Sequence, residues 1–520
     1  MKTLFGLPEI LQATLLTEWL SFKEVGLLDS AVCNVKLRPE YLRLLKADYC
    51  IFSDANYCSI NAEWAINRAI KLRQVRLPDT NRKLRKELLK HLSKSSIESI
   101  IVDSSTYKAC GTTAIIEGQA AKLILADDLE HILRDICKFC PHIKRFELGF
   151  RRISSCTFSD ANFCAFCSLV SQCTQLESLT LISIFNLPVM FLAALLTAPS
   201  LVHLHLDQCT LAKEVRNETT LEAYRNIKVE SFHCDCSTVW LAQSFPLLKT
   251  FSMEGIYVRF ATFLVPVSCP HVTSVTLDYI PNKSNRALTE DLSQMQQWCL
   301  TSLCVKVKGQ VVCLPEVSVL PFVKNCKYLA TISSMSNYST TYPVHYKGSR
   351  LTQLSMCCDD AASLATIVAE CPYLYALYLE QGDEKSPVTY TPVEQSLDLI
   401  VGTNIKVLSL CRYTSLRNDD LLQLQYANLT IFKLCKCGEQ ITNDGILQLV
   451  SSMPNLHTIV IEHCATVTHK VVLQLPPLCP NLRSFTYNCV DSSRKSKPSE
   501  LVTDMLSLLY PHVVYWHVLC

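Results

Sequence analysis

One short apolar pattern recurs along the chain and limits what it can become. CPNLRSFTY (479–487) aligns with MPNLHTIVI (453–461), CPYLYALYL (371–379), CPHVTSVTL (269–277), CTQLESLTL (173–181) and CPHIKRFEL (140–148). The shared form is C-P-x-L-x-x-L-x-L, with apolar residues kept at the last three anchors. Its first leucine position falls at Leu72, Ile97, Ala120, Ile143, Leu176, Leu201, Val229, Leu248, Val272, Leu300, Leu329, Leu351, Leu374, Ile405, Leu429, Leu456, Leu482 and Val513. The spacing is about 26 residues, a period at which each unit is one supersecondary element stacked on its neighbours. A single unit of that size cannot bury its own apolar face, whereas a stack buries a continuous core.

The pattern also dictates what each unit contains. In L-x-x-L-x-L the last two apolar residues are two apart and share one face of a short strand. A helix follows. In ITNDGILQLVSSMPNL (441–456), Thr442 or Asn443 caps the helix, Ile446, Leu449 and Val450 form its apolar stripe, and Met453-Pro454 ends it. SDANFCAFCSLVSQC (159–173) repeats the arrangement with Ser159 or Asp160 as cap. The expected fold class is α/β, a solenoid with a parallel sheet inside and helices outside.

The best units, ANLTIFKLCKCGEQITNDGILQLV and NLHTIVIEHCATVTHKVVLQL, resemble the cysteine-containing leucine-rich repeat of F-box/leucine-rich-repeat proteins. That resemblance implies a leucine-rich-repeat horseshoe over 71–520, of about 18 units. The N-terminal stretch LPEILQATLLTEWLSFKEVGLLDSAVCN (7–34) is similar to an F-box: Leu-Pro, a helical apolar stripe, a break near Ser21, a second helix, then Val-Cys. Lys36 stands where the family usually carries tryptophan. The domain reading is an F-box-like helical segment or N-terminal cap at 1–45, a linker or first capping unit at 46–70, and the solenoid from 71 to 520. The resemblance implies that Leu7, Pro8, Leu11, Leu15, Trp19, Leu20 and Val32 dock on a Skp-type adaptor within a cullin complex, and that the repeat face holds a protein substrate. The alternative is a scaffold with no ubiquitin-ligase link, whose N-terminal helices only cover the first repeat.

Composition bounds the remaining choices. Hydrophobic residues make up 49% and charged residues 18%, which suits a folded chain with much buried surface. A formal net charge of +2 gives no global field toward nucleic acid or an anionic membrane, and neither partner is expected. Pro8, Glu9, Gln12 and Glu18 interrupt the apolar start, so it is not read as a secretion signal. No apolar run is long enough to span a membrane. The expected location is cytoplasmic and/or nuclear, with the 28 cysteines reduced.

Two C-x2-C pairs, Cys137/Cys140 and Cys164/Cys167, have the local spacing of zinc ligands. The repeat register places them in successive units that need not converge, so a packing role is preferred and no cofactor is expected. There is no G-x-G-x-x-G, P-loop, G-x-S-x-G or H-E-x-x-H, and no enzyme activity is expected. KLRQVRLPDTNRKLRKELLKHLSK (71–94) is basic; it reads as a solvated outer helix with Leu84, Leu88, Leu89 and Leu92 facing inward.

The residue between the last two anchors of each unit should face out of the sheet. Along the chain these are Glu147, Thr180, His205, His233, Ser252, Thr276, Cys304, Ser333, Ser355, Tyr378, Ser409, Lys433, Val460, Thr486 and His517. His205 and His233 should be stacked neighbours about 4.8 Å apart, with His203 one pleat away. Glu147, His203, His205, His233 and Tyr378 are the candidate partner-binding residues.

Overall fold

Apolar anchors become parallel strands in the computed structural model, which divides into two compact units: residues 1–254 with 267–271, and residues 255–266 with 272–520. The structure describes residues 9–14, 16–17, 22–31, 38–47, 50–52, 59–77, 82–93, 97–103, 119–149, 156–157, 159–212, 215, 223–235, 237–256, 269–279, 299–307, 330–335, 350–358, 361–381, 393–425, 427–464, 466–468, 470–488, 510, 513 and 515–519.

In the first unit β1 (Gln74–Arg76), β2 (Ser99–Asp103), β3 (Arg145–Gly149), β4 (Ser178–Ile182), β5 (His203–Asp207), β6 (Ser231–Asp235) and β7 (Thr250–Ile256) pair in parallel, each with the next. In the second unit β8 (Ser274–Tyr279), β9 (Ser302–Val307), β10 (Thr331–Met335), β11 (Gln353–Cys357), β12 (Ala376–Glu380), β13 (Val407–Cys411), β14 (Ile431–Cys435), β15 (Thr458–Glu462), β16 (Ser484–Asn488) and β17 (Tyr515–Leu519) do the same. Parallel neighbours require a crossover of a dozen or more residues, which the repeat spacing supplies.

Four helices precede β1, and the rest lie in the crossovers. The first unit has α1 (Glu9–Thr14), α2 (Phe22–Ala31), α3 (Arg38–Leu45), α4 (Ser59–Arg68), α5 (Arg82–Leu92), α6 (Gln119–Phe139), α7 (Asp160–Gln172) and α8 (Val189–Thr197); the second has α9 (Ala361–Glu370), α10 (Asn418–Leu422), α11 (Asn443–Ser451) and α12 (Lys470–Leu478). Ser159 caps α7 by accepting from the Asn162 amide at 3.2 Å, and Thr442 caps α11 by accepting from Gly445 at 3.4 Å. Ile446, Leu449 and Val450 are buried, as their spacing requires.

One anchor is corrected. Ala120 does not begin a repeat: it lies in α6, and β2 pairs directly with β3. The run QAAKLILADDLEHILRDICKF is rich in strong helix formers, so one long unit stands where the spacing suggested two. The basic segment is corrected at one residue as well. Leu84, Leu88, Leu89 and Leu92 are buried on α5, but Arg85 is buried with them.

Several of the buried cysteines fall into two positional classes, each with its own hydrogen bond. Among the described residues, five of the strands named above are followed by a residue with left-handed backbone: Ser183 (φ 57°), Gln208 (52°), Arg412 (63°), Lys436 (54°) and His463 (55°). Four of these amides still extend the ladder: Ser183 to Asp207 O at 2.8 Å, Arg412 to Cys435 O at 2.8 Å, Lys436 to Glu462 O at 2.8 Å and His463 to Asn488 O at 2.7 Å. The next residue then turns into the core. Where it is cysteine, its thiol donates back to a strand carbonyl: Cys209 to Leu181 O at 3.4 Å, Cys437 to Leu410 O at 3.3 Å and Cys464 to Glu462 O at 3.6 Å. The second class closes a helix and donates to an earlier carbonyl, Cys140 to Leu89 O at 3.8 Å and Cys479 to Val450 O at 3.9 Å; Cys269 likewise donates to Ala242 O at 3.1 Å. A buried thiol is a small hydrophobe with one weak donor, which suits both places.

Asparagines join consecutive repeats. Asn418 donates to Thr442 Oγ1 at 2.9 Å and accepts from the Thr442 amide at 2.9 Å; Asn443 makes the same pair of bonds with Thr468 at 2.8 and 2.8 Å. Each side-chain amide thus clips the turn of the next unit.

The N-terminal helices are held by a buried carboxylate. Asp29 of α2 receives Trp64 Nε1 at 2.9 Å and Arg68 Nε at 3.0 Å from α4, and Arg38 Nη2 at 3.4 Å from the start of α3. Tyr41, fully buried, donates to Val25 O at 3.0 Å, and Arg43 pairs with Glu9. Among the described residues no helix is long and apolar enough to cross a membrane.

Candidate partner-binding face

Alternation along each strand sends one set of side chains into the core and the other out of the sheet. In β5, Leu204 and Leu206 are buried while His205 and Asp207 are half-buried and His203 is exposed. In β6, Phe232 and Cys234 are buried while His233 and Asp235 are half-buried. The register aligns the outward residues into a row: Glu147, Thr180, His205, His233 and Ser252 are successive partners. The row anticipated from the repeat is thus continuous across β3 to β7.

His205 and His233 meet in that row with ring centroids 4.0 Å apart and planes at 70°. His203 pairs with Ser178 and Ser231, two residues earlier on the same face. Two residues beyond the histidines lie Asp207 and Asp235. The Asp235 carboxyl is held above the usual carboxylate range, first by burial, and it accepts from the Ser237 amide at 2.8 Å and the Thr238 hydroxyl at 3.3 Å. This part of the face offers imidazoles and carboxylates side by side, and can take hydroxyl, amide or cationic groups from a partner.

The second unit has its own row: Thr276, Cys304, Ser333, Ser355, Tyr378, Ser409, Lys433, Val460, Thr486 and His517 are successive register partners. Tyr378 is half-buried between Ser355 and Ser409, and Tyr373 and Tyr375 at the entry to β12 are 65% and 48% exposed. Aromatic side chains of this kind offer large contact area with a polar tip. Val460 departs from the pattern and is buried.

The sulfurs of the two C-x2-C pairs go to different places. Cys137 donates to Gln172 Oε1 at 2.8 Å, Cys140 to Leu89 O, and Cys167 to Met190 O at 3.6 Å, while Cys164 is exposed. Among the described residues there is no group of three or more potential metal ligands. Of the candidate adaptor contacts, Leu7, Pro8, Leu15, Trp19, Leu20 and Val32 lie outside the described residues, and Leu11 lies in α1. Leu27, on α2, is 61% exposed.

Two features escape a reading limited to the central row. One is Asp29, whose three partners lie 9 to 39 residues away and leave no local pattern. The other is the next row of the second unit, Glu380, Cys411, Cys435, Glu462 and Asn488. It was open to detection, because Cys411 and Cys435 each sit two residues beyond a central-row position.

No family model matches the chain, and no curated protein matches it. A solved structure titled as the complex of Rad7 and Elc1 in yeast aligns over 76% of this chain and 81% of that one, at 15% identity and a TM-score of 0.36.

Proposed function

We propose that this chain is a non-catalytic protein-binding scaffold, and that its finer role is the substrate-recognition subunit of an SCF-type ubiquitin ligase. The supporting observation is the row itself. Five consecutive strands of the first unit each place one half-buried, mostly polar side chain in register, over about 19 Å at ordinary strand spacing. Such a row suits scattered contacts with a folded or extended protein partner. The chain then acts by raising effective concentration, holding a substrate near a ligase, and does no bond chemistry itself.

The ligase assignment rests on the sequence resemblance of 7–34 to an F-box. In that reading Leu7, Pro8, Leu11, Leu15, Trp19, Leu20 and Val32 contact a Skp-type adaptor. A second reading is favoured by the Asp29 cluster, which ties α2 and α3 to α4 as a solenoid cap would be tied. The test for the face is His205→Ala with His233→Ala. The double variant should keep wild-type hydrogen exchange in β5 and β6 and lose retention of substrate protein. Unchanged retention would remove the histidines from the site.

A further inference from the structure

We infer that Cys411 and Cys435 form a reversible oxidation site on the exposed face of the second unit, closing to a disulfide on reaction with hydroperoxide. They are direct register partners on β13 and β14, and among the described residues no other strand pair places cysteine against cysteine. Register partners on neighbouring strands lie about 4.8 Å apart, within the Cα separation that a disulfide spans. Both thiols are free and half-buried, unlike Cys437, which is buried two residues on.

The pair is asymmetric. The Cys411 thiol beside it, with Lys436 and Lys433 nearby, lowers the Cys435 thiol, against burial and the Glu462 charge. The neighbouring Cys435, then burial and the Glu380 charge, push Cys411 up. Cys411 therefore stays protonated beside a Cys435 thiolate. A thiolate is the attacking species in thiol chemistry, and a neighbouring thiol resolves the product.

The steps balance. The Cys435 thiolate attacks one peroxide oxygen; an S–O bond forms, the O–O bond breaks, and the departing hydroxide takes a proton to leave as water. The Cys411 sulfur then attacks the Cys435 sulfenic acid; an S–S bond forms, the S–O bond breaks, and the second water carries away the Cys411 proton. Two thiols and one hydrogen peroxide give one disulfide and two waters.

Trypsin makes the outcome legible, because Lys406, Arg412, Lys433 and Lys436 bracket the site. Cys411 falls in VLSLCR and Cys435 in LCK, each with a single cysteine. The full chain, exposed to stoichiometric hydrogen peroxide and alkylated under denaturing conditions, should yield VLSLCR joined to LCK, and dithiothreitol should separate them. Cys411→Ser should instead leave Cys435 as a sulfenic acid captured by a 1,3-dione. Cys435→Ser should leave Cys411 fully alkylatable. Alkylation of Cys435 by iodoacetamide in the native chain should reach half-maximum at a lower pH than that of Cys411. The inference is overturned if peroxide leaves both peptides alkylated while other cysteines oxidise. It is equally overturned if Cys435 proceeds to sulfinic acid with Cys411 still reduced.

Discussion

Replacing Asp29 by alanine removes the acceptor on which three basic or N–H groups converge. The carboxylate is nearly enclosed, its side chain 5% exposed, while Arg38 and Arg68 remain 33% and 30% exposed. Breaking a fully buried ion pair costs about 3–5 kcal/mol, because the surviving charge is stranded. Here the arginines are partly solvated, so water takes up much of their charge, and the lost bond to Trp64 adds a smaller neutral contribution. The expected loss is about 2–3 kcal/mol, confined to α2, α3 and α4. Hydrogen exchange resolved by peptide is the appropriate assay, because it separates these helices from the rest of the chain. Amides in 22–31, 38–45 and 59–68 should exchange roughly thirty- to a hundred-and-fortyfold faster, at 1.4 kcal/mol per tenfold. Those in β14 to β16 should not change. Asp29→Asn, which keeps one acceptor oxygen, should show a smaller acceleration. Wild-type exchange rates at these helices in the alanine variant would refute a structural role for the cluster; equal acceleration in both units would refute its local character.

Three other perturbations follow from the repeat geometry. His463 is exposed with left-handed backbone, so His463→Gly should relieve strain of about 1–2 kcal/mol against about 0.5–1 kcal/mol of added unfolded-state freedom, giving a small rise in denaturation midpoint; a fall would contradict it. A Cβ on Gly438 would lie 2.0 Å from the Thr414 carbonyl oxygen, backbone that cannot swing aside, so Gly438→Ala should accelerate exchange in β13 and β14, and unchanged exchange would show that the turn is slack. Burial pushes the thiols of Cys140, Cys173, Cys269, Cys437 and Cys479 up to about 12 from 9.0. The fold therefore favours the neutral thiol. That stabilisation is whole below pH 9 and is lost as pH rises toward 12, by up to about 1.4 kcal/mol per pH unit for each thiol. Urea midpoints should fall between pH 9 and pH 11, less steeply in Cys437→Ala; a flat profile would place these thiols in water.

Much of the fold was legible because the repeat is short-ranged in sequence. L-x-L fixes which residues enter the core, and aligning the anchors of successive units fixes the register, so the row from Glu147 to Ser252 could be written down before any coordinates. Thr442 and Ser159 were readable as caps for the same reason: the group that needs capping lies three residues away. Ala120 misled because a small apolar residue satisfies the anchor class, while the twenty-one residues of α6 around it satisfy helical periodicity better. Arg85 misled because its charge suggested solvent, although its place on α5 beside Leu84 and Leu88 puts it on the inward side. The two histidines were legible as neighbours; their edge-on contact was not, since ring orientation depends on packing from adjacent strands.

The most direct test of the proposed role is the mass of a complex. Purified full-length chain mixed with a purified Skp-type adaptor at low micromolar concentration should elute on size-exclusion chromatography with light scattering as a one-to-one assembly. Leu7→Ala with Pro8→Ala should return both proteins to their separate masses, with exchange in β3 to β7 unaltered. Separate elution of the wild-type chain and adaptor at every concentration tried would contradict the ligase assignment and leave a capped repeat scaffold.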